Sequence, residues 1–522
     1  MDNIGKRFYL ALVLIVLMSC KEQAKKKEPA VITQNNKMEY YNERYRPQFH
    51  FSPEEKWMND PNGLVYHKGV YHLFYQYYPE DIVWGPMHWG HATSKDLVVW
   101  EHRPIALFPD AHGYIFSGSA VVDVYNTSKL GSDEAPPLVA IFTYHDAVAK
   151  KEGKERYETQ GVAFSLDNGE TWTKYEGNPV IGNPGERDFR DPKVFWNEKT
   201  KAWSMLLVAG DHLQIWGSDN LLEWKKVSEF GREQGAHGGV WECPDMFKLV
   251  VDETGEEKWV LLISINPGAP NGGSGTQYFV GDFDGETFTS DQKNVRWVDW
   301  GADNYAGVTY NNTPNNDRIF IGWMSNWNYA TKTPTKKWRS AMTLPRKLSL
   351  RKIRGNYELI NYPLKNLNDL LKSKQEANIV LQAGAEEAIS FDNFNQAEIR
   401  FMTNAKDFNL TFKNQTNERL ILAMDGVKEQ FLVDRSQSGV TNFDKNFGGL
   451  QQMPIINLPE GQFEVRLFVD RSSIEIFINK GQYVMTSQLF PTENYTDLSI
   501  KNTGNTQLSL NDFKISEVKD VW

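Results

Sequence analysis

The sequence predicts an all-β fold in which a β-propeller is followed by an antiparallel β-sandwich. Between about residues 40 and 350, short β-type runs are separated by Gly, Pro, Asn and Asp, with little helical periodicity. A polar turn ending in an aromatic residue recurs within that stretch, and after residue 378 polar and apolar residues alternate. The 17 Trp, 22 Tyr and 29 Phe also suit β architecture.

The N-terminal segment has the composition of an export signal. Two basic residues precede an apolar run at residues 8–18, and Ser19 and Cys20 follow it. The run LMSC at 17–20 resembles the bacterial lipoprotein signal, in which the cysteine is lipidated and begins the mature chain. The alternative is an ordinary secretory signal with an incidental cysteine. We expect residues 1–20 to be a lipoprotein-type signal peptide, with lipidation at Cys20.

Residues 21–39 are charged and contain proline, which predicts a flexible tether between the lipid anchor and the folded body. If Cys20 carries lipid, Cys243 is the only thiol left, so this exported protein has no disulfide. No run of eighteen apolar residues follows the N-terminus, so the anchor is the expected membrane contact. A net charge of −10 argues against a nucleic-acid partner.

Repeated turns indicate the propeller. Each copy is a polar turn followed by an aromatic residue, and the spacing of about 50 to 70 residues suits four-stranded blades. The copies are SKDLVVW at 94–100, SLDNGETW at 165–172, SDNLLEW at 218–224 and, more weakly, DFDGETF at 282–288. The second copy also matches the Asp-box of sialidases, which marks propeller turns and therefore supports only the fold.

Period-two strands in the C-terminal part predict the sandwich, for example EIRFM at 398–402 and FEVRLFV at 463–469. We therefore assign the propeller to residues 40–352 and the sandwich to 379–522. Residues 353–378 are expected to connect them, with one short helix at 366–373.

Three acidic residues of the propeller segment lie close to a proline, in the runs WMNDPNG (57–63), FRDP (189–192) and WECP (241–244). Proline fixes its own φ and biases the preceding residue toward extended backbone. Proline is therefore expected to restrain the backbone of Asp60 and Asp191 directly, and that of Glu242 from one residue further away. Taken alone, the Asn-Asp-Pro-Asn-Gly run is most simply a turn.

Sugar cleavage with retention requires two carboxylates, a nucleophile and a protonated acid/base, about 5 to 5.5 Å apart. A propeller brings distant residues together, because the inner strands of successive blades face one axial funnel. Counted by the repeated turns, Asp60, Asp191 and Glu242 fall in the first, third and fourth blades. This arrangement predicts a glycosidase.

The chain resembles the β-fructosidases of glycoside hydrolase family thirty-two, which comprise invertases, inulinases and levanases. The resemblance rests on the three acidic motifs and covers almost everything after the signal and tether. Further matches occur in the same order, at FYQY (74–77), WGPMHWGHATS (84–94), FSGS (116–119), SNW (325–327) and FVDRSSIEIF (468–477). The family fold is a five-bladed propeller followed by a β-sandwich, in line with the expectation from the repeats.

The resemblance implies a role for each acid. Asp60 attacks C2 of a terminal β-fructofuranosyl unit, and Asp191 accepts hydrogen bonds from the sugar as the transition state forms. Glu242 protonates the leaving oxygen, and we expect Trp241 and the neighbouring carboxylates to raise its pKa. The resemblance further implies a sugar pocket lined by Asn59, Gln76, Trp84, Phe116, Ser117, Arg190 and Trp327.

No cofactor or metal is expected. His88, His91 and His237 do not share the spacing of metal ligands, and the 282–285 run lacks the spaced acids of a calcium loop. Cys243 is predicted to be a small packing residue that tunes Glu242, because a nucleophilic thiol needs a paired base.

Alternative functions remain open at this point. A fructosyltransferase would use the same residues, with a second sugar in place of water. A glycan-binding lipoprotein without activity is a different class, which the three acids argue against. A sialidase would need an arginine cluster and a nucleophilic tyrosine, which we cannot place. The sequence does not distinguish fructans of the levan or inulin type from sucrose, exo from endo action, or one oligomeric state from another.

Overall fold

A computed structural model describes residues 40–522. The predicted signal peptide (1–20), its Cys20 and the predicted tether (21–39) lie outside the described residues. Within 40–522, no helix combines the length and the apolar character needed to cross a bilayer.

The described residues form five blade sheets followed by two larger sheets, which confirms the predicted five-bladed propeller and β-sandwich. The first blade contains β1 (Lys56–His67), β2 (Val70–Tyr78), β3 (His88–Ser94) and β4 (Glu101–Leu107). The second contains β5 (Tyr114–Val122), β6 (Leu138–His145), β7 (Glu158–Ser165) and β8 (Thr173–Lys174). A short α-helix, α1 (Ala147–Lys151), follows β6 and is capped by Asp146.

The next two blades repeat the antiparallel pattern. The third contains β9 (Phe189–Asn197), β10 (Ala202–Ala209), β11 (His212–Ser218) and β12 (Lys225–Phe230). The fourth contains β13 (Val240–Val250), β14 (Glu257–Asn266), β15 (Gly275–Phe283), β16 (Phe288–Thr289) and β17 (Arg296–Trp297). Contacts link β1 to β5, β5 to β9 and β9 to β13, so the inner strands follow one another around an axis.

The fifth blade closes the ring, since its inner strand contacts both β13 and β1. It contains β18 (Tyr305–Thr309), β19 (Ile319–Met324), β21 (Ala341–Met342), β22 (Arg346–Ile353) and β23 (Asn356–Pro363), while β20 (Trp338–Arg339) pairs in parallel with β1. Two 3₁₀ turns lie in this region, at Pro314–Asn316 and Ala330–Lys332.

The repeated motif forms the same turn in the first three blades. A serine hydroxyl (Ser94, Ser165 or Ser218) accepts a backbone N–H three or four residues later, at 2.7, 2.8 and 2.9 Å. The Asp or Asn two residues after the serine then accepts further N–H groups. In the third blade this residue is Asn220, the second residue after Ser218. The periodic signal in the sequence is therefore a local hydrogen-bonded turn between the last two strands of a blade.

Each inner strand carries a β-bulge at the same level, where two of its residues oppose one residue of the second strand. The bulged pairs are Asn59 with Asp60, Phe116 with Ser117, Asp191 with Pro192, Cys243 with Pro244, and Ala306 with Gly307. A bulge bends its strand and changes the direction of a side chain. Five bulges around one axis therefore create a ring of redirected side chains at one end of the propeller.

The sandwich is two six-stranded antiparallel sheets over a common apolar core. One sheet contains β24 (Leu371–Leu381), β26 (Ala397–Thr403), β31 (Phe463–Asp470), β32 (Ser473–Ile478), β33 (Tyr483–Gln488) and β35 (Leu508–Val518). The other contains β25 (Glu386–Ser390), β27 (Asp407–Lys413), β28 (Arg419–Asp425), β29 (Gln430–Gln437), β30 (Leu450–Pro454) and β34 (Asp497–Asn502). A 3₁₀ turn at Phe394–Gln396 precedes β26.

The predicted connector at 353–378 is mostly strand. Strand β23 completes the fifth blade up to Pro363, beyond the expected boundary at 352, and β24 of the sandwich already begins at Leu371. The expected helix at 366–373 is a 3₁₀-helix at Lys365–Leu370. Strand β24 lies at a sheet edge with most of its residues exposed, so its sequence lacks the apolar alternation that marks a half-buried strand.

Buried charges join the propeller to the sandwich. Arg346 of the propeller bonds Asp299 at 3.0 Å and, across the domain boundary, Glu475 at 2.7 Å. Its guanidinium also donates to the hydroxyl of Thr486 at 2.7 Å. The backbones of the two domains also lie close together here. A Cβ added to Gly301 would lie 2.0 Å from the Thr486 carbonyl oxygen.

His50 makes a second buried link between the domains. Its ring nitrogens lie 2.7 Å from Asp470 and 3.0 Å from Glu475. Burial disfavours the charged ring, but hydrogen bonds to these two carboxylates outweigh it and raise the pKa of His50 to about 9. Because the folded pKa is raised, the stabilisation is complete below the ordinary histidine pKa and is lost as pH rises through about 9.

Candidate active site

Asp60 is held in the bulge of β1 by polar neighbours. Its Oδ2 accepts a hydrogen bond from the Ser117 hydroxyl at 2.8 Å, and its Oδ1 accepts from the Asn59 amide at 3.1 Å. Asn59 is itself fixed, because its Oδ1 accepts from Trp57 Nε1 at 2.7 Å. Burial raises the pKa of Asp60, and these donors act in the opposite direction. The carboxylate is therefore oriented before any ligand arrives.

Cys243 brings the second acid beside the first. Its thiol sulfur lies 3.5 Å from Asp60 Oδ2 and 3.6 Å from Asp191 Oδ2, and its backbone N–H donates to Asp191 Oδ2 at 2.9 Å. Asp191 and Cys243 both have positive φ, of 61° and 46°. Both residues precede proline, so the extended backbone expected for Asp191 does not form. Positive φ is uncommon for residues other than glycine, and here it lets each bulge turn its side chain toward the axis. Cys243 was predicted to be a small packing residue, and in the structure it also contacts both carboxylates.

Glu242 completes the acid cluster. Its Oε2 accepts a hydrogen bond from the Tyr305 hydroxyl of the fifth blade, and its Oε1 lies 3.6 Å from Arg190 Nε. Burial raises the pKa of Glu242 to about 7, helped by the charge of Asp60 and opposed by Arg190 and the Tyr305 hydroxyl. The indole of Trp241, which was expected to raise this pKa, packs among apolar residues of the third and fourth blades.

Arg190 balances the acids from one side. Burial and the neighbouring Glu242 charge raise the pKa of Asp191, and the Arg190 guanidinium opposes them. Its Nη1 bonds Glu158 at 2.7 Å and its Nη2 bonds Asp188, while Nε finds no hydrogen-bond partner among the described residues. A donor left free and directed toward Glu242 is available to that carboxylate or to a ligand oxygen.

A buried carboxylate connects Arg190 to the pocket wall. Glu158, fully buried, also accepts from His145 Nδ1 at 2.9 Å. The His145 ring stacks on Phe116 at 4.1 Å and 9°. Burial lowers the pKa of His145, which keeps the ring neutral at ordinary pH. Arg190 and Phe116, separated by 74 positions in the chain, are thus tied through one carboxylate.

The other predicted pocket residues surround the acids. Trp327 is half-buried and stacks on Trp57 at 5.8 Å, directly behind the Asp60 bulge. Gln76 lies opposite that bulge on β2, buried, and its amide donates to Asn62 at 2.8 Å. Trp84 stands at the rim with 39% of its surface exposed, and its ring lies edge-on to Phe116 at 6.1 Å. The structure places all ten predicted site residues of the propeller around one end of its axis.

A lysine–aspartate pair joins the inner strands of the third and fourth blades beside the acid cluster. Lys193, two residues after Asp191, is 3.2 Å from Asp245, three residues after Glu242. Lys193 also donates to the Thr309 carbonyl at 2.6 Å, and Asp245 accepts the Thr309 hydroxyl at 2.7 Å. The inner strands of the third, fourth and fifth blades are therefore joined directly beside the acids that two of them carry.

Sequence reasoning missed Tyr305, Glu158, His145 and Asp188. Tyr305 could have been suspected, because it begins the fifth inner strand directly before the bulged Ala306-Gly307 pair. The remaining three lie in runs without motif character, and only their contacts identify them. Among residues 40–522, no group of three or more His, Cys, Asp or Glu side chains is arranged to hold a metal ion.

Two family models match the chain. The glycosyl hydrolases family 32 N-terminal domain matches residues 50–363, and the corresponding C-terminal domain matches 366–517. The chain belongs to glycosyl hydrolase family 32. This membership confirms the resemblance on which the site prediction was based.

Relatives in this family are similar over most of their length. A levanase of Bacillus subtilis is 45% identical over 494 residues, covering 92% of this chain and 72% of the relative. The extracellular exo-inulinase of Aspergillus ficuum is 41% identical and covers 89% of this chain and 93% of its own. An invertase of Schizosaccharomyces pombe is 36% identical, over 92% of this chain and 87% of the relative.

Solved structures of family 32 members share the architecture. Exo-inulinase from Aspergillus awamori superposes with a TM-score of 0.85 at 38% identity, covering 92% of this chain and 100% of that one. The β-fructofuranosidase of Schwanniomyces occidentalis, solved with fructosyl-erythritol, gives 0.82 at 33% identity, over 92% and 98% of the two chains.

Proposed function

We propose that the protein is a retaining glycosidase that releases β-D-fructofuranosyl units from fructans of the levan or inulin type, from sucrose, or from both. The observation that carries this proposal is the acid cluster, in which Asp60 and Asp191 share contact with one thiol and Glu242 stands beside them. The levanase, exo-inulinase and invertase relatives support a fructoside as the substrate.

In the first step, an Asp60 oxygen bonds to C2 of the terminal fructosyl unit while the bond from C2 to the linking oxygen breaks. Glu242, whose pKa of about 7 leaves it substantially protonated at neutral pH, donates its proton to the departing oxygen. Asp191 accepts hydrogen bonds from the sugar hydroxyls, which shorten as positive charge develops on the ring. The product of this step is a covalent fructosyl-enzyme.

In the second step, water attacks C2 and the bond to Asp60 breaks. Glu242 takes the proton from that water, so both carboxyl groups return to their starting states. Ser117 and Asn59 hold Asp60 throughout, and Arg190 limits the repulsion among the three acids. Trp84, Phe116 and Trp327 supply apolar surface for the sugar, and Gln76 lies opposite the Asp60 bulge on the neighbouring strand.

The product pattern tests this function. Purified protein is incubated with levan, inulin and sucrose in parallel, and the products are separated by chromatography. We expect free fructose from each active substrate, whereas a ladder of oligosaccharides would indicate endo action. Longer products formed at high sucrose concentration would identify a transferase, and no product from any of the three would contradict the proposal.

A test of the acid/base assignment uses Tyr305. The Tyr305 hydroxyl stabilises ionised Glu242, so Tyr305→Phe is expected to raise the pKa of Glu242. The alkaline limb of the pH profile of kcat/KM then moves to higher pH.

Tyr310→Phe is the matched control, because the buried Tyr310 hydroxyl finds no hydrogen-bond partner within residues 40–522. An alkaline limb that stays in place, or moves to lower pH, in Tyr305→Phe would contradict the role of Glu242.

We also propose that the chain is exported as a lipoprotein and anchored to a membrane through lipid on Cys20. The support is the sequence of residues 1–20 and the charged stretch that follows. A polymer outside the cell is a reasonable substrate for an anchored enzyme. Cells fed labelled palmitate should incorporate it into the protein and should fail to do so in Cys20→Ala; equal labelling of both would refute the anchor.

A further inference from the structure

A series of aromatic rings runs outward from the acid cluster. Phe116, next to Ser117, lies 6.1 Å from Trp84, whose ring is 6.4 Å from that of Tyr114. Farther out, Phe108 meets His88 edge-on at 5.4 Å. We call Trp84, His88, Phe108 and Tyr114 the aromatic strip.

The strip lies at the active-site end of the propeller. Trp84 is in the loop between β2 and β3, and Phe108 is in the loop between β4 and β5, which also leads to the bulge at Ser117. Leu107, the residue before Phe108, pairs with Trp89, and Gln76, opposite the Asp60 bulge, also pairs with Trp89. The strip therefore follows the boundary between the first two blades, from the acid cluster toward the periphery.

Two of these rings are unusually exposed. Phe108 has 54% of its surface exposed and Trp84 has 39%, and the adjacent Val83 adds 37%. Large apolar side chains grouped on a surface commonly mark a binding site, because solvating them is unfavourable. Trp84 borders the proposed sugar pocket, since its ring contacts that of Phe116. Phe108 lies in the loop that leads to Tyr114, whose ring contacts that of Trp84.

The backbone that carries Phe108 is fixed. Lys174 of the second blade donates both to the Phe108 carbonyl and to the Asp110 carboxylate. Asp110 also accepts the Tyr144 hydroxyl at 3.0 Å, and Ile115 N–H donates to the Met87 carbonyl at 3.0 Å, which joins the two loops. A ring presented on a fixed backbone loses little conformational entropy when it binds.

We propose that the aromatic strip binds the second and later sugar units of a fructan chain, on the leaving-group side of the scissile bond. This inference rests on the proposed function, which places the terminal fructosyl unit at Asp60. Trp84, at the rim of the pocket, would border both the terminal unit and the second one, and the C–H faces of the following sugar rings would cover Tyr114 and then Phe108. Sucrose has only one unit beyond the scissile oxygen, so it ends before Phe108. The strip therefore makes the site selective for oligomers and polymers over the disaccharide.

Phe108→Ala tests this proposal. Steady-state kinetics are measured on sucrose, on a fructan trisaccharide and on longer fructan oligosaccharides of one linkage. We expect kcat/KM on the longer chains to fall about tenfold, mainly through KM, because a bound-state contact is removed without touching the acids. The value for sucrose should stay within about twofold of the unsubstituted protein.

Tyr125→Ala is the matched control. Tyr125 is 58% exposed and follows the far end of β5, away from the bulge at Ser117, so its loss should leave all substrates unchanged. An equal loss on sucrose and on long chains in Phe108→Ala, or no loss on any, would overturn the proposal. If the unsubstituted protein released no fructose from any substrate, the proposed function would fail. Calorimetric binding of a long fructan oligosaccharide, with and without Phe108→Ala, would then still decide about the strip.

Discussion

Asp60→Asn is expected to lower fructose release by about 10⁴-fold or more while the fold persists. The amide has the size of the carboxylate but cannot form the covalent bond to C2. Because burial raises the pKa of Asp60, the ionised acid costs the folded protein stability as pH rises above the ordinary Asp value. The neutral amide removes that cost, so its thermal midpoint at neutral pH should equal or exceed that of the unsubstituted protein.

The measurement combines initial rates on the preferred fructan with thermal melting followed by circular dichroism. Asp219→Asn, at an exposed position of a blade turn, makes the same chemical change away from the site and should alter neither quantity. Substantial release by Asp60→Asn would show that another group is the nucleophile. Binding of fructan without any release by the unsubstituted protein would instead favour a glycan-binding lipoprotein.

Arg346→Met is expected to cause the largest loss of stability. Arg346 is fully buried and is the cation between Asp299 of the propeller and Glu475 of the sandwich. Removing one partner of a buried ion cluster leaves the other charges uncompensated, which typically costs about 3–5 kcal/mol. Denaturant unfolding should therefore show a much lower midpoint, and the two domains should begin to unfold separately.

Arg351→Met provides the comparison, because the Arg351–Glu253 pair at 2.9 Å is more than a third exposed on both sides. Exposed pairs contribute about 0–1 kcal/mol, so this variant should unfold close to the unsubstituted protein. Equal midpoints for the two variants would mean that the charges between the domains do not stabilise the fold.

The motif FVDRSSIEIF at 468–477 was predictable only as a family feature. In the structure its acids lie at the junction between the domains. Asp470 and Glu475 both pair with His50, and Glu475 also pairs with Arg346. Nothing local in the run indicates this, since the partners lie 420, 425 and 129 residues away. Motif order could therefore identify the residues, but their role depended on how the two domains pack.

The propeller turns show what local sequence can establish. The Ser-x-Asp or Ser-x-Asn turn closes through hydrogen bonds within five residues, so its repetition is visible without any tertiary information. Strand β24 shows the converse, because an exposed edge strand has no apolar alternation and is defined by pairing with β35 at the other end of the domain.

By itself, the amino-acid sequence determined the all-β class, the number and order of the acids that lie close to a proline, and the turns that separate the strands. These features follow from backbone preferences and side-chain periodicity, which act over a few residues. Only the tertiary structure decided that five bulges lie at one level and that Tyr305 reaches Glu242 from another blade. It also decided that Cys243 contacts two carboxylates and that exposed rings continue the pocket. Such contacts depend on the closure of the propeller ring, which positions residues that are far apart in the chain.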